Sequence, residues 1–166
     1  MKKLILMSRT LIAATLVLST ATAVAEGWKT YEAKAYGFSM LIPEGTTIKE
    51  KEWKGGWGGM YATHEGVHFY GIAKLGTKAT DEEIEKFAVD LIGIPAAEWT
   101  KIDSGKDKNG WARYHTFKAT KGSKLYFAAY GVGPKGTYLL YLETTPTDFK
   151  ENRADYDKWY ASIELE

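Results

Sequence analysis

Tryptophan and glycine crowd one short stretch of this chain, Trp53-Lys54-Gly55-Gly56-Trp57-Gly58-Gly59-Met60-Tyr61. An indole exposed there would stack on a sugar ring or an aromatic ligand, and the glycines would let that ligand approach the backbone. Trp53, Trp57 and Tyr61 are therefore the candidate ligand-binding residues. The competing reading is a hairpin connection whose tryptophans fold back onto a sheet, since Trp is on average a well-buried residue.

A second chemistry is suggested by His64, His68 and His115, with Glu65 beside the first. Imidazole and carboxylate suit zinc, and a metal-dependent hydrolase would follow if all three histidines reached one ion at bonds of about 2 Å. A His-x-x-x-His spacing is a metal signature on a helix, but Gly66 and Val67 break any helix here, so strand geometry decides whether they meet. The alternative is ordinary strand and turn histidines.

Asp107-Lys108-Asn109-Gly110 carries part of a calcium loop. Gly105 stands where such a loop needs a carboxylate and Thr116 where it needs the bidentate glutamate, so the stretch reads as a tight turn. The chain has no cysteine and no Gly-x-Ser-x-Gly, and Ser39, Ser104, Ser123 and Ser162 have no local signature of a nucleophile. Asp81, Glu82 and Glu83 are a helix start rather than an acid-base pair. No phosphate-loop or dinucleotide glycine pattern precedes a helix, so no cofactor is implied.

The elements that would carry these residues begin after a leader. Lys2, Lys3 and Arg9 precede the apolar run Leu11 to Leu18, and Ala23-Val24-Ala25 has the small-x-small form cut on export. The sequence predicts a signal peptide over 1–25 and a single exported domain over 26–166, periplasmic or extracellular. The uncharged run from Thr10 to Ala25 falls short of the roughly 20 residues a spanning helix needs, so no transmembrane segment is expected in the mature chain. Removing Lys2, Lys3 and Arg9 takes the net charge from +1 to −2. That offers no electrostatic case for nucleic acid or anionic lipid.

Ordering each residue costs about 1 to 2 kcal/mol, and without disulfides a large core must offset it. The 6 Trp, 11 Tyr and 6 Phe can supply one. Thr80 with Glu83 forms a capping box ahead of Ile84, Phe87, Ala88, Leu91 and Ile92 at helical spacing, and Gly93 and Pro95 stop that helix. Tyr138 to Leu142 reads as a central strand apolar on both faces. After Pro146, the residues Phe149, Tyr156, Trp159, Tyr160 and Ile163 read as a second helix folding back over it. In Phe38 to Ile42, alternate residues Phe38, Met40 and Ile42 share a face. In Val67 to Leu75, one face carries Val67, Phe69, Ala73 and Leu75 and the other carries His68, Tyr70 and Ile72. Tight turns imply antiparallel neighbours, and strands apolar on both faces imply covered faces. The expectation is an α+β fold, a mostly antiparallel sheet of six to eight strands with two helices packed on it as an α/β/α sandwich.

Three segments carry a family resemblance. They are Tyr36-Gly37-Phe38-Ser39-Met40-Leu41-Ile42-Pro43, the strand running into Thr144-Thr145-Pro146, and the closing helix entering Ser162-Ile163-Glu164-Leu165. Together they resemble the PsbP-like group, the extrinsic photosystem subunit and its exported bacterial relatives. The resemblance implies an antiparallel sheet between helical layers and a non-enzymatic role in binding or assembly, and it transfers no functional residue. Three functions are carried forward. The first is an exported, non-catalytic module contacting a protein or envelope component. The second is a small-molecule or carbohydrate binder using Trp53, Trp57 and Tyr61. The third is a hydrolase centred on the histidines.

Overall fold

The computed structural model describes residues 27–166, so the expected leader lies outside the described residues. In chain order the elements are β1 (Trp28–Ala33), β2 (Phe38–Pro43), β3 (Thr47–Trp53), β4 (Trp57–His64), β5 (Val67–Leu75), α1 (Asp81–Ile92), a 3-10 turn (Ala96–Glu98), β6 (Thr100–Lys108), β7 (Trp111–Lys121), β8 (Lys124–Val132), β9 (Gly136–Thr144), α2 (Pro146–Glu151), α3 (Arg153–Ala161) and β10 (Glu164–Leu165). Seven strands form one sheet in the order β3-β4-β5-β9-β8-β7-β6, and its pairings are antiparallel.

Turn chemistry sets the register. Asn109 and Gly110 have φ of 50° and 80°, and Glu65 and Gly66 have 47° and 83°, the paired left-handed residues that a twist-matched two-residue hairpin needs. β9 sits centrally between β5 and β8 and is buried from Gly136 to Leu142, as its uninterrupted apolar run predicts. Leu139 and Tyr141 belong to the core under α1, while Tyr138, Leu140 and Leu142 belong to the core under α3.

α1 starts as its sequence predicts. The Thr80 hydroxyl accepts from the Glu83 amide at 3.3 Å, and the Glu83 carboxylate accepts from the Thr80 amide at 2.8 Å. Gly93, at φ 69°, ends the helix. Ile84, Ala88 and Ile92 face the sheet and are buried. Ile84 and Ile92 each contribute about 1.5 to 3 kcal/mol by that burial.

The structure departs from the sequence reading in two places. The expected second helix is two, α2 and α3, because Asn152 at φ −106° and ψ 22° breaks the helical path between them. β1, β2 and β10 also leave the main sheet and form a three-stranded sheet of their own. Every residue of β2 is buried. The Leu41 amide donates to the Ser162 hydroxyl at the end of α3 at 2.9 Å, which ties this small sheet to the helical layer. The fold is thus α+β, with α1 on one face of the large sheet and α2, α3 and the small sheet on the other.

Candidate functional site

The stretch from Trp53 to Tyr61 is mostly strand, not loop. Only Lys54 to Gly56 lie outside β3 and β4, with Gly55 and Gly56 at φ of 80° and 81°. Trp53 and Trp57 are cross-strand partners. Trp57 is 6% exposed and stacks on Phe87 of α1 at 4.1 Å between ring centres, with the planes 2° apart. It therefore pins α1 to the sheet. Trp53 is half-buried, with the Lys51 ammonium 5.3 Å from its ring centre.

Beside these two residues opens a concavity of about 400 Å³ walled by Tyr36, Glu52, Trp53, Trp57 and Leu75. Leu75 is 43% exposed, one of the two most exposed large apolar side chains among the described residues. Gly58 forms part of the wall, and a side chain there would meet the Tyr36 ring, 3.1 Å from a would-be Cβ. Tyr61 is not among these walls. Of the three candidates from sequence, the structure brings two to one concavity and turns the third into a different feature.

That feature is a row. Lys49, Tyr61, Tyr70 and Tyr141 are successive register partners across β3, β4, β5 and β9, so all four project from the same face of the sheet. Tyr61 and Tyr70 stack at 6.0 Å, Tyr70 and Tyr141 stack at 4.4 Å, and the Lys49 ammonium lies 5.9 Å from the Tyr61 ring centre. α1 packs over β8 and β9, which buries Tyr141 but leaves Tyr61 and Tyr70 half exposed. Burial, reinforced by the Glu143 carboxylate, raises the pKa of the Tyr70 phenol. Burial, reinforced by Tyr70 and Glu143, raises that of Tyr141 more strongly. Both keep their protons and offer O–H donors.

Charge follows the same geometry. In edge strand β3, Lys49 and Lys51 lie over Tyr61 and Trp53 on the α1 side of the sheet. Glu50 and Glu52 alternate with them onto the opposite side, where they raise the pKa values of Tyr31 and Tyr36 after burial itself. The alternation of lysine and glutamate along the strand becomes a separation of sign across the sheet.

The histidines do not converge. His64 pairs with Val67 on the face that packs toward α3, whereas His68 bonds to the Thr63 hydroxyl at 3.0 Å on the α1 face. His115 sits on β7, three strands beyond β5, and four residues along that strand from Ala119, the residue level with His68; at about 4.8 Å per strand the separation across the sheet alone is roughly 14 Å. No group of three metal-ligating side chains is gathered among the described residues.

His115 instead joins a polar latch at the start of α1. Asp81 accepts from Arg113 Nε at 2.9 Å through one oxygen and from His115 Nε2 at 2.9 Å through the other. An ionised carboxylate can only accept, so His115 carries its proton on Nε2. Burial pushes the Asp81 carboxyl up, but the bonds from Arg113 and His115 outweigh it and hold the pKa below the ordinary value. Next to it, Tyr130 donates to Glu85 of the same helix.

No protein-family model matches the chain, and no curated protein does. Among solved structures, the solution structure of cyanobacterial PsbP (CyanoP) from Synechocystis sp. PCC 6803 superposes with a TM-score of 0.55 at 12% identity, covering 90% of this chain and 99% of that one. A Pseudomonas aeruginosa protein of unknown function, PA94, aligns at a TM-score of 0.41 and 10% identity, over 81% of this chain and 94% of that one. A Bacteroides thetaiotaomicron protein aligns at 0.42 and 14%, over 84% and 49%. The first likeness makes this a PsbP-like fold, and the other two add nothing to that assignment.

Proposed function

We propose that the protein is an exported, non-catalytic binding or assembly module that contacts a protein partner or envelope component through the tyrosine row and its lysine edge. One observation carries the reading. Lys49, Tyr61, Tyr70 and Tyr141 stand in line on a sheet face that α1 covers at only one end. Tyrosines of this kind give large, rigid, amphipathic contact area, which is why they are enriched at interfaces. The unit that does this is the domain over 26–166, freed by removal of the leader. The test is affinity capture from periplasmic and culture-medium fractions with the wild-type domain and with a folded Tyr61→Ala/Tyr70→Ala variant. A partner held by the first and lost by the second supports the reading, and equal capture by both refutes it.

A second reading rests on the concavity of about 400 Å³ beside Trp53. It falls in the range of roughly 300 to 1,000 Å³ that small ligands occupy. Trp53 and Tyr36 give it aromatic walls and Glu52 a polar one, the chemistry of a carbohydrate or aromatic ligand. Titration of tryptophan fluorescence with a panel of sugars and aromatic compounds tests it. A saturable change abolished by Trp53→Ala supports this reading, and a flat response removes it.

A further inference from the structure

The two edges of the large sheet end differently. At one edge β6 is closed by its own geometry: its register against β7 shifts between Lys101 and Asp103, and Asp107 lies within the strand at φ 51°. A bulge and a left-handed residue turn the outer side of a strand away from any regular partner. At the other edge β3 pairs with β4 residue for residue, from Thr47 with Thr63 to Trp53 with Trp57, and none of its residues has a positive φ. No strand lies beyond it among the described residues. Alternate residues of β3 therefore hold their N–H and C=O groups toward an unfilled lane, and Thr47, Lys49, Glu50, Lys51 and Glu52 are exposed.

Charge decides what can fill that lane. Lys49 and Lys51 lie on the α1 side of the sheet, and Glu50 and Glu52 alternate onto the other side. A second copy joining antiparallel, through a two-fold axis perpendicular to the sheet, keeps its α1 side facing the same way, so only residues of the same side meet. Centred on Glu50, that pairing sets Lys49 against Lys51 and Glu50 against itself. Centred on Lys51, it sets Glu50 against Glu52 and Lys51 against itself. Like charges directly opposed destabilise a ladder. A regular edge that repels its own copy in this way still accepts a different strand, one with an acidic residue opposite each lysine and a basic residue opposite each glutamate.

We propose that β3 is a strand-addition site, which takes an extended segment of a partner protein, alternating in acidic and basic residues, as a further strand of the large sheet. The site rests on the tyrosine row and its lysine edge being the contact face, and it adds how the partner is held there. Main-chain hydrogen bonds give the affinity, and the order of charge selects the segment.

The test titrates the domain with acetyl-Val-Lys-Glu-Lys-Glu-Val-Thr-amide, which antiparallel to β3 sets Glu opposite Lys49 and Lys51 and Lys opposite Glu50 and Glu52. Its control is acetyl-Val-Lys-Lys-Glu-Glu-Val-Thr-amide, equal in composition and net charge, and amide hydrogen exchange followed by NMR is the readout. The alternating peptide is expected to saturate with a Kd on the order of 1 mM, about 10-fold tighter than the control. At about ten times that concentration it should slow exchange roughly 10-fold at every second amide of β3. Lys49→Glu/Lys51→Glu is expected to weaken the alternating peptide about 10-fold and to take acetyl-Val-Lys-Lys-Lys-Lys-Val-Thr-amide in its place. Equal binding of the first two peptides, no saturable binding up to about 10 mM, or binding that leaves exchange in β3 unchanged overturns the proposal. A domain dimer that protects the same amides without peptide also overturns it. Because Tyr61 and Tyr70 lie on β4 and β5, this result is separable from the capture experiment. Capture lost with those tyrosines but no protection of β3 refutes strand addition alone, and protection of β3 with capture unchanged refutes the tyrosine row alone. Melting curves of each variant separate lost binding from lost folding.

Discussion

Asp81→Asn removes the charge that ties the first turn of α1 to β7, and its cost can be worked from the geometry. The wild-type carboxylate bonds Arg113 and His115 at 2.9 Å each, with side chains 33% and 29% exposed against 40% for Asp81. That exposure keeps the ion pair in the range of partly solvated pairs, about 0.2 to 1 kcal/mol. A negative charge at a helix start contributes about 0.3 to 1 kcal/mol more. The expected loss is about 0.5 to 2 kcal/mol at neutral pH, and in a domain of this size each kcal/mol moves Tm by roughly 3 to 5 °C. The sign with pH follows from Asp81 titrating below its unfolded value of 3.8 when folded. Its contribution is complete above about pH 5 and is lost as the pH falls through the lower folded pKa. Thermal melts of wild type and Asp81→Asn between about pH 2.5 and 7 should show a Tm gap that is constant above pH 5 and closes toward the acid end. A gap of equal size at both ends, or none at neutral pH, would refute the latch.

Phe87→Asp places a charge against the face of Trp57 and should cost about 3 kcal/mol or more, with a red-shifted tryptophan emission as α1 lifts off. Gly71→Ala sets a Cβ 2.3 Å from the Phe38 ring, where the small sheet packs on the large one. A loss of about 1 to 3 kcal/mol should lower the urea midpoint without changing the slope. Burial and the hydrogen bond to Asp103 push Tyr114 up to about 12, and Tyr130 and Tyr141 are raised further. Raised phenol pKa values stabilise the fold fully below the unfolded value of 10.0 and lose that contribution as the pH climbs past it. Phenolate absorbance and loss of circular dichroism should therefore rise together in alkali. Independent titration of all 11 tyrosines with the fold intact would contradict this.

Local chemistry in the sequence carried much of the fold. The Thr80–Glu83 box, the Asn109-Gly110 turn and the apolar run of β9 each have a mechanism confined to a few neighbouring residues, and each appears where the sequence places it. Departure of β1 and β2 into a separate sheet was not legible, because alternation in Phe38 to Ile42 reports a buried face but not which neighbour buries it. The break at Asn152 was hidden by aromatic spacing that fits one helix or two. For the candidate site, tryptophan and glycine pointed to the β3–β4 hairpin, where Trp53 and Trp57 line one concavity and Tyr61 does not. Tyr61 and Tyr70 could have been aligned through the short β4–β5 turn, but Tyr141 joins them only through the β5–β9 pairing, which links residues about seventy positions apart by register alone. Burial of Trp57 depended likewise on α1 crossing it, a tertiary fact with no local signature.

The most direct test of the proposed contact face is site-specific photocrosslinking in the cells that make the protein, with the photoreactive residue at Lys49 or Thr63 beside the row and, as a control, at Lys106 on the far edge strand. A discrete adduct from the first two positions, absent from the third and lost when Tyr61 and Tyr70 are alanine, is the expected result. Adducts of the same pattern from all three positions, or none from any, would contradict a partner seated on the tyrosines.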